Sequence, residues 1–231
     1  MKKILLGFCF LLGACKLDLM APVSVSQFYS EKREVVPAQI SVEVGTCEER
    51  NPTEKIDFQK DRLSEAKAKI SDNESDMLKK IKQKIAYIFP TASYQGCVSK
   101  MMSGTAEFTL DIPLQHTVGT DEIYFLNNDE NFLSVGMNKA LRKRIADTRE
   151  DLGQDLQFNL ATKVVNDTKR DFTLMTGMVY IDDVPVITKI LTLKPGEERK
   201  IRLSDVAIDV LLNPYNEKDA GTASFLWPLS K

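Results

Sequence analysis

A single histidine, His116, stands in 231 residues. Nucleophilic triads usually need a histidine base, and His116 sits at the end of a predicted strand between Gln115 and Thr117. No serine occupies a GxSxG elbow. There is no paired CxxC, so a structural zinc site has no ligand set. Neither GxGxxG nor GxxxxGK[ST] occurs, so phosphate cradling by a glycine-rich loop has no support. Past the first residues, no apolar run approaches the roughly 20 residues that cross a bilayer as a helix. An excess of either charge is missing as well: 31 Lys and Arg stand against 33 Asp and Glu, a net charge of −2. Nothing in that balance calls for a nucleic-acid partner. No cofactor and no metal is expected. What remains is ordinary: 43% hydrophobic and 28% charged residues, enough to build a globular core.

The N-terminus carries the most specific signal. It reads MKKILLGFCFLLGAC, with Lys2 and Lys3 ahead of an apolar stretch from Ile4 to Leu12. Nine apolar residues are too few to span a membrane and suit the core of an export signal. Gly13 and Ala14 follow, then Cys15. Leu12-Gly13-Ala14-Cys15 resembles the lipobox of bacterial lipoproteins. The resemblance implies a signal peptide over 1–14, cleavage before Cys15, and acyl chains on Cys15. Two chains already anchor a protein durably, at about 0.8 kcal/mol per buried CH₂. Lys16 stands where an Asp would retain a Gram-negative lipoprotein in the inner membrane, so the implied address is the outer membrane. Cleavage removes 14 residues and both leading lysines, leaving 217 residues and a net charge of −4.

With Cys9 in the signal and Cys15 lipidated, Cys47 and Cys97 remain. An even pair in an oxidising compartment favours a disulfide, the alternative being two buried thiols. The bond would close a loop of about 50 residues, for roughly 4 kcal/mol by loop entropy.

Along the chain, residues 15–34 hold Pro22, several Ser and Gln, and a mixed-charge run, and read as a tether, with Phe28 and Tyr29 opening the fold. A region over 35–153 follows. Ala38, Ile40, Val42 and Val44 alternate with polar residues as a half-buried strand. Asn51-Pro52-Thr53-Glu54 looks like a helix start, and a stripe through Leu63, Ala66, Ile70, Met77, Ile81, Ile85 and Ile88 runs to Pro90, as one helix or two joined near Ser71. Thr105 to Leu114 alternates as another strand. Ile123–Leu126 and Phe132–Val135 flank a polar loop as a hairpin. Asn138 caps a basic helix to about Leu152. Residues 154–231 are β-rich, with turns at 166–171, Asp182-Asp183 and Lys194-Pro195-Gly196-Glu197; Ser204–Leu212 fits a strand or a capped helix. The stretch from Leu191 to Leu203 resembles late strands of immunoglobulin-like sandwiches in bacterial surface proteins. The expected class is α+β: an antiparallel sheet, a long amphipathic helix or helix pair, and a sandwich-like C-terminal half.

Chemistry is sparse. Asp182-Asp183 is the best carboxylate doublet, but adjacent turn residues diverge, and both suit a β-turn. Asp72, Glu74 and Asp76 lack the glycine and terminal Glu of a calcium loop. Arg142-Lys143-Arg144 reads as a solvated helix face, with an anionic membrane as the sharper option. Trp227, the only tryptophan, lies in an apolar stretch that is either a terminal core strand or an exposed partner site. The favoured function is a non-enzymatic, membrane-anchored envelope lipoprotein binding another envelope protein. The format also resembles small lipoproteins of enterobacterial phages and prophages, some of which block receptors against further infection. A carboxylate-based cell-wall or glycan hydrolase, and an assembly component using the long helix, are the alternatives.

Overall fold

The computed structural model describes residues 16–30, 32–44, 47, 77–100, 103–127, 133–152, 156–215 and 221–229. Alternation of apolar and polar residues drives more than half of it into strands. In β1 (Lys16–Ser24), Leu17, Leu19, Ala21 and Val23 are buried while their neighbours face outward. In β2 (Glu34–Val44), Val36, Ala38, Ile40, Val42 and Val44 do the same. The remaining strands are β3 (Ser93–Lys100), β4 (Ser103–Gln115), β5 (Ile123–Asn127), β6 (Leu133–Met137), β7 (Gln157–Val165), β8 (Phe172–Ile181), β9 (Val184–Leu193), β10 (Glu198–Leu203) and β11 (Gly221–Pro228).

Nine of these strands close into a barrel in the order β10-β7-β1-β2-β4-β5-β6-β11-β8, and β8 returns to β10. Closure is made by β8, which takes Leu226–Pro228 of β11 against Leu174–Thr176 and Ile201–Leu203 of β10 against Val179–Ile181. Met178 lies between these two stretches with φ of 50°. There the buried side of β8 changes from Phe172, Leu174 and Thr176 to Val179 and Ile181. Most neighbours are antiparallel. The exceptions are β1 with β7, in register from Lys16↔Gln157 to Ser24↔Val165, and a short β4–β5 contact at Leu114 and Gln115. Two strands hang outside the ring: β3 on β4, and β9 on β8. The core is the barrel interior, filled by Leu, Ile, Val and Phe from every strand of the ring.

Among the described residues four helices accompany the barrel: α1 (Val25–Phe28), α2 (77–88), α3 (Lys139–Leu152) and α4 (Asp205–Leu212). Leu78, Ile81, Ile85 and Ile88 of α2 are buried, whereas Met77 is exposed. Asn138 caps α3 by accepting the amide of Leu141 at 2.9 Å. Ser204 caps α4 by accepting the amide of Ala207 at 3.2 Å, which makes 204–212 a capped helix.

The barrel corrects the expected class. The protein is mostly β, and its strands close into a barrel, which is neither an α+β antiparallel sheet nor a sandwich. β2, β4, β5 and β6 form one arc of the ring and β11, β8, β10 and β7 the other, joined through β1 and the β6–β11 pairing, so residues 35–153 and 154–231 share one core. Nor do residues 16–24 form a tether: β1 lies between β2 and β7. The length of any helix before residue 77, and the carboxylates Asp72, Glu74 and Asp76, lie outside the described residues.

Candidate functional site

Two surfaces stand out, and both follow from how the ring closes. The first is a groove of about 850 Å³ on the outward side of β2, β1, β7, β10 and β8. Register places Gln39 beside Met20, Met20 beside Ala161, Ala161 beside Arg202, and Arg202 beside Tyr180. One step along, Ser41, Asp18 and Asn159 form a second row. Ala161, with a single side-chain carbon, lies between longer neighbours and leaves the floor low. α4 supplies a wall through Asp205, Ile208, Asp209 and Leu212, which recur at the spacing of one helix face.

The groove is polar and balanced in charge. Asn159 donates to Asp18 at 2.8 Å, and Lys16 pairs with Asp18 at 3.1 Å. Lys200 pairs with Asp183 at 3.2 Å. The Arg202 guanidinium stacks 3.8 Å from the centre of the Tyr180 ring. Stacking leaves its in-plane N–H groups free, and it makes no ion pair among the described residues. Arg149 donates Nε–H to the carbonyl of Leu156 at 3.3 Å and likewise has no carboxylate partner among them. On the α4 wall, Asp205 has no cation partner among the described residues, and Asp209 accepts only from the Asn213 side chain at 2.8 Å.

The second surface is β9. It pairs with β8 along its length and with no other strand among the described residues. Its sequence, VPVITKILTL, is apolar enough for a core strand, yet Ile187 is 83% exposed and Val184 and Ile190 are each 61% exposed. A free strand edge of this kind is a template for pairing with another chain. Pro185, which has no N–H, and Lys189, the strand's one charge, are the residues that blunt unwanted pairing.

The sequence candidates fall mainly into structural roles. Cys47 and Cys97 are joined by a disulfide that ties the end of β2 to β3, with Cα atoms 5.3 Å apart. Cys15 lies outside the described residues. His116 donates from Nδ1 to the Asn127 carbonyl at 2.8 Å, and Asn127 in turn donates to the carbonyl of Phe28 at 2.5 Å. Asp182 and Asp183 form the two-residue β8–β9 turn, with φ of 48° and 68°, and pair with Arg199 and Lys200. Of the basic cluster, Lys143 pairs with Asp147, and Arg144 is largely buried, pairing with Glu122 and donating to the carbonyl of Ile88. Arg142 packs near Gly221. Trp227 lies in β11 beside Met175 of β8, half-buried with its ring over Gly177, while the core residues of that strand are Ala223, Phe225 and Leu226. Among the described residues no three His, Cys, Asp or Glu side chains gather as a metal site. No helix among them is long and apolar enough to cross a membrane.

The family model that matches this chain covers residues 18–225, from within β1 to within β11. The chain belongs to the family described as Domain of unknown function (DUF7424). No curated protein and no solved structure matches it. The DUF7424 match begins inside β1 and ends inside β11, so it spans every barrel strand in whole or in part and includes all of β9.

Sequence reasoning missed the groove because its residues come from five strands and two helices spread from Lys16 to Leu212. Each reads alone as an ordinary solvated position. The signal that could have found it is the strict alternation in residues 16–24, which marks β1 as a barrel strand.

Proposed function

We propose that the protein is a lipid-anchored envelope lipoprotein that acts as a non-enzymatic binding module, with β9 taking an extended segment of an envelope protein as an added strand. The observation that carries this reading is the exposed apolar edge of β9. Main-chain hydrogen bonds would supply affinity there, and alternating side chains would supply selectivity. Val184, Ile187 and Ile190 fit a partner segment with apolar residues on both faces and an acidic or polar residue near Lys189. The lipobox supports anchoring through Cys15, and the disulfide suits an exported protein.

Two measurements test it. Metabolic labelling with palmitate should mark the native chain and not Cys15→Ser; equal labelling of both refutes anchoring. Crosslinking in intact envelopes should map a partner peptide to β9, and Ile187→Lys with Ile190→Lys should abolish that crosslink. Unchanged crosslinking, or crosslinks confined to other strands, refutes the docking surface. A crosslink between two β9 strands would make the occupant a second copy instead.

A further inference from the structure

The groove joins three features that a solvated sheet face does not need together. Two guanidinium groups, Arg149 and Arg202, face it without a carboxylate partner among the described residues. Two carboxylates, Asp205 and Asp209, face it from α4 without a cation partner among them. The cleft they share has the volume of a small-ligand site. Unpaired charges of both signs in one cleft complement a ligand that carries both. Guanidinium favours phosphate or carboxylate bidentately, and the Tyr180 stack fixes the plane of Arg202 in advance. Carboxylates one helical turn apart suit an ammonium that donates three hydrogen bonds.

Position narrows the class. Lys16 and Asp18 line the groove and open β1. The Cα of Lys16 is one 3.8 Å step from that of Cys15. We infer that the groove binds a zwitterionic phosphoethanolamine group, with the phosphate on Arg149 and Arg202 and the ammonium on Asp205 and Asp209, and that its source is a lipid headgroup of the membrane holding Cys15. The choice of source rests on the anchoring proposed above; the pairing of charges does not.

The test uses the full chain purified in detergent and titrated calorimetrically with glycerophosphoethanolamine, glycerophosphocholine and inorganic phosphate. Glycerophosphoethanolamine should bind at least tenfold more tightly than either of the others, because choline offers no N–H and phosphate no cation. Arg202→Gln and Asp205→Asn should each weaken it at least tenfold, with unchanged thermal unfolding showing that the barrel is intact. No binding by the native chain, equal binding of inorganic phosphate, or indifference to both substitutions overturns the site. The source is tested by reconstituting the lipidated protein into vesicles of phosphatidylethanolamine or phosphatidylcholine. Phosphatidylethanolamine should protect Lys16 and Lys200 from acylating reagents, and equal protection in both vesicles overturns the membrane source. Palmitate labelling reports the anchor separately, so failure of the anchor and failure of the groove give different results.

Discussion

Reducing the Cys47–Cys97 bond should cost this fold about 4 kcal/mol. The two residues are 50 apart in sequence, and the chain-entropy relation for a loop of that length gives roughly 14 cal/mol/K of lost denatured-state entropy, or about 4 kcal/mol at 25 °C. Strain is not needed for this effect, because it acts on the unfolded chain. Both cysteines also pack against the core, so replacing them adds a small packing loss to the entropic one. For a domain of this size each kcal/mol moves Tm by about 2–4 °C, which puts the expected drop at roughly 8–16 °C. The assay is thermal unfolding followed by circular dichroism, with and without a non-thiol reductant, beside the double variant Cys47→Ser, Cys97→Ser. Urea titrations should show a larger m-value after reduction, since the released chain exposes more surface on unfolding. Thiol titration of the denatured, exported protein should find no free thiol, with Cys15 in thioether linkage and the other two bonded. A Tm shift below about 2 °C with an unchanged m-value would refute the reasoning, because the denatured state would then not be constrained by the link.

Two further predictions concern packing and protonation. Tyr124 is fully buried in β5 opposite Gly136 of β6, and a Cβ at Gly136 would overlap the tyrosine ring, so Gly136→Ala should destabilise by about 2 kcal/mol or more in urea unfolding. Tyr124→Phe should be neutral or stabilising by up to about 1 kcal/mol, because the Tyr124 hydroxyl has no hydrogen-bond partner among the described residues. Tyr87 of α2 donates to Asp147 of α3 at 3.0 Å; that bond and Lys143 hold the Asp147 carboxyl below its usual range and raise the Tyr87 hydroxyl above its own. The Asp147 contribution is therefore present above the ordinary carboxylate range and lost as pH falls through its lowered folded-state pKa, while the Tyr87 contribution is lost only as pH rises through its raised one. NMR titration should show Asp147 moving back toward the ordinary range in Tyr87→Phe, and no movement would refute the link.

How much of this was legible beforehand differs by element, for physical reasons. β2 and β4 were plain because each has one buried and one exposed face, so period-two alternation is written into residues 36–44 and 105–114. The β5–β6 hairpin, the Asn138 cap and the Pro195-Gly196 turn were legible because each is local; Gly196 takes φ of 78°, which glycine adopts readily. β1 carries the same alternation as β2, but Pro22 and the polar neighbours made it look like a tether. Its place is fixed by β7, about 140 residues away, and no local pattern announces a partner at that distance. Ring closure was illegible for the same reason, since it depends on β8 meeting both β10 and β11.

The two candidate surfaces were hidden in opposite ways. β9 was visible as a strand, but an apolar strand reads as buried, and only the sheet order shows that nothing described here covers it. The groove residues were visible as polar, but polar outward positions read as solvated, and only the register of β1, β7 and β10 gathers Asp18, Asn159 and Arg202 on one floor. The lipid proposed on Cys15 would give this arrangement an orientation. Because β1 enters the barrel at Lys16, an anchor at the preceding residue leaves almost no free chain between membrane and fold. The groove end of β1 would then be held at the bilayer surface. β9 belongs to the β8–β9 hairpin, and by register through β10 and β7 its Val184 end points toward the Ser24 end of β1 and its Leu193 end toward the Lys16 end. With Cys15 anchored, a partner strand added along β9 would run from the membrane-proximal end of the barrel toward its far end, roughly 30 Å at about 3.3 Å per residue.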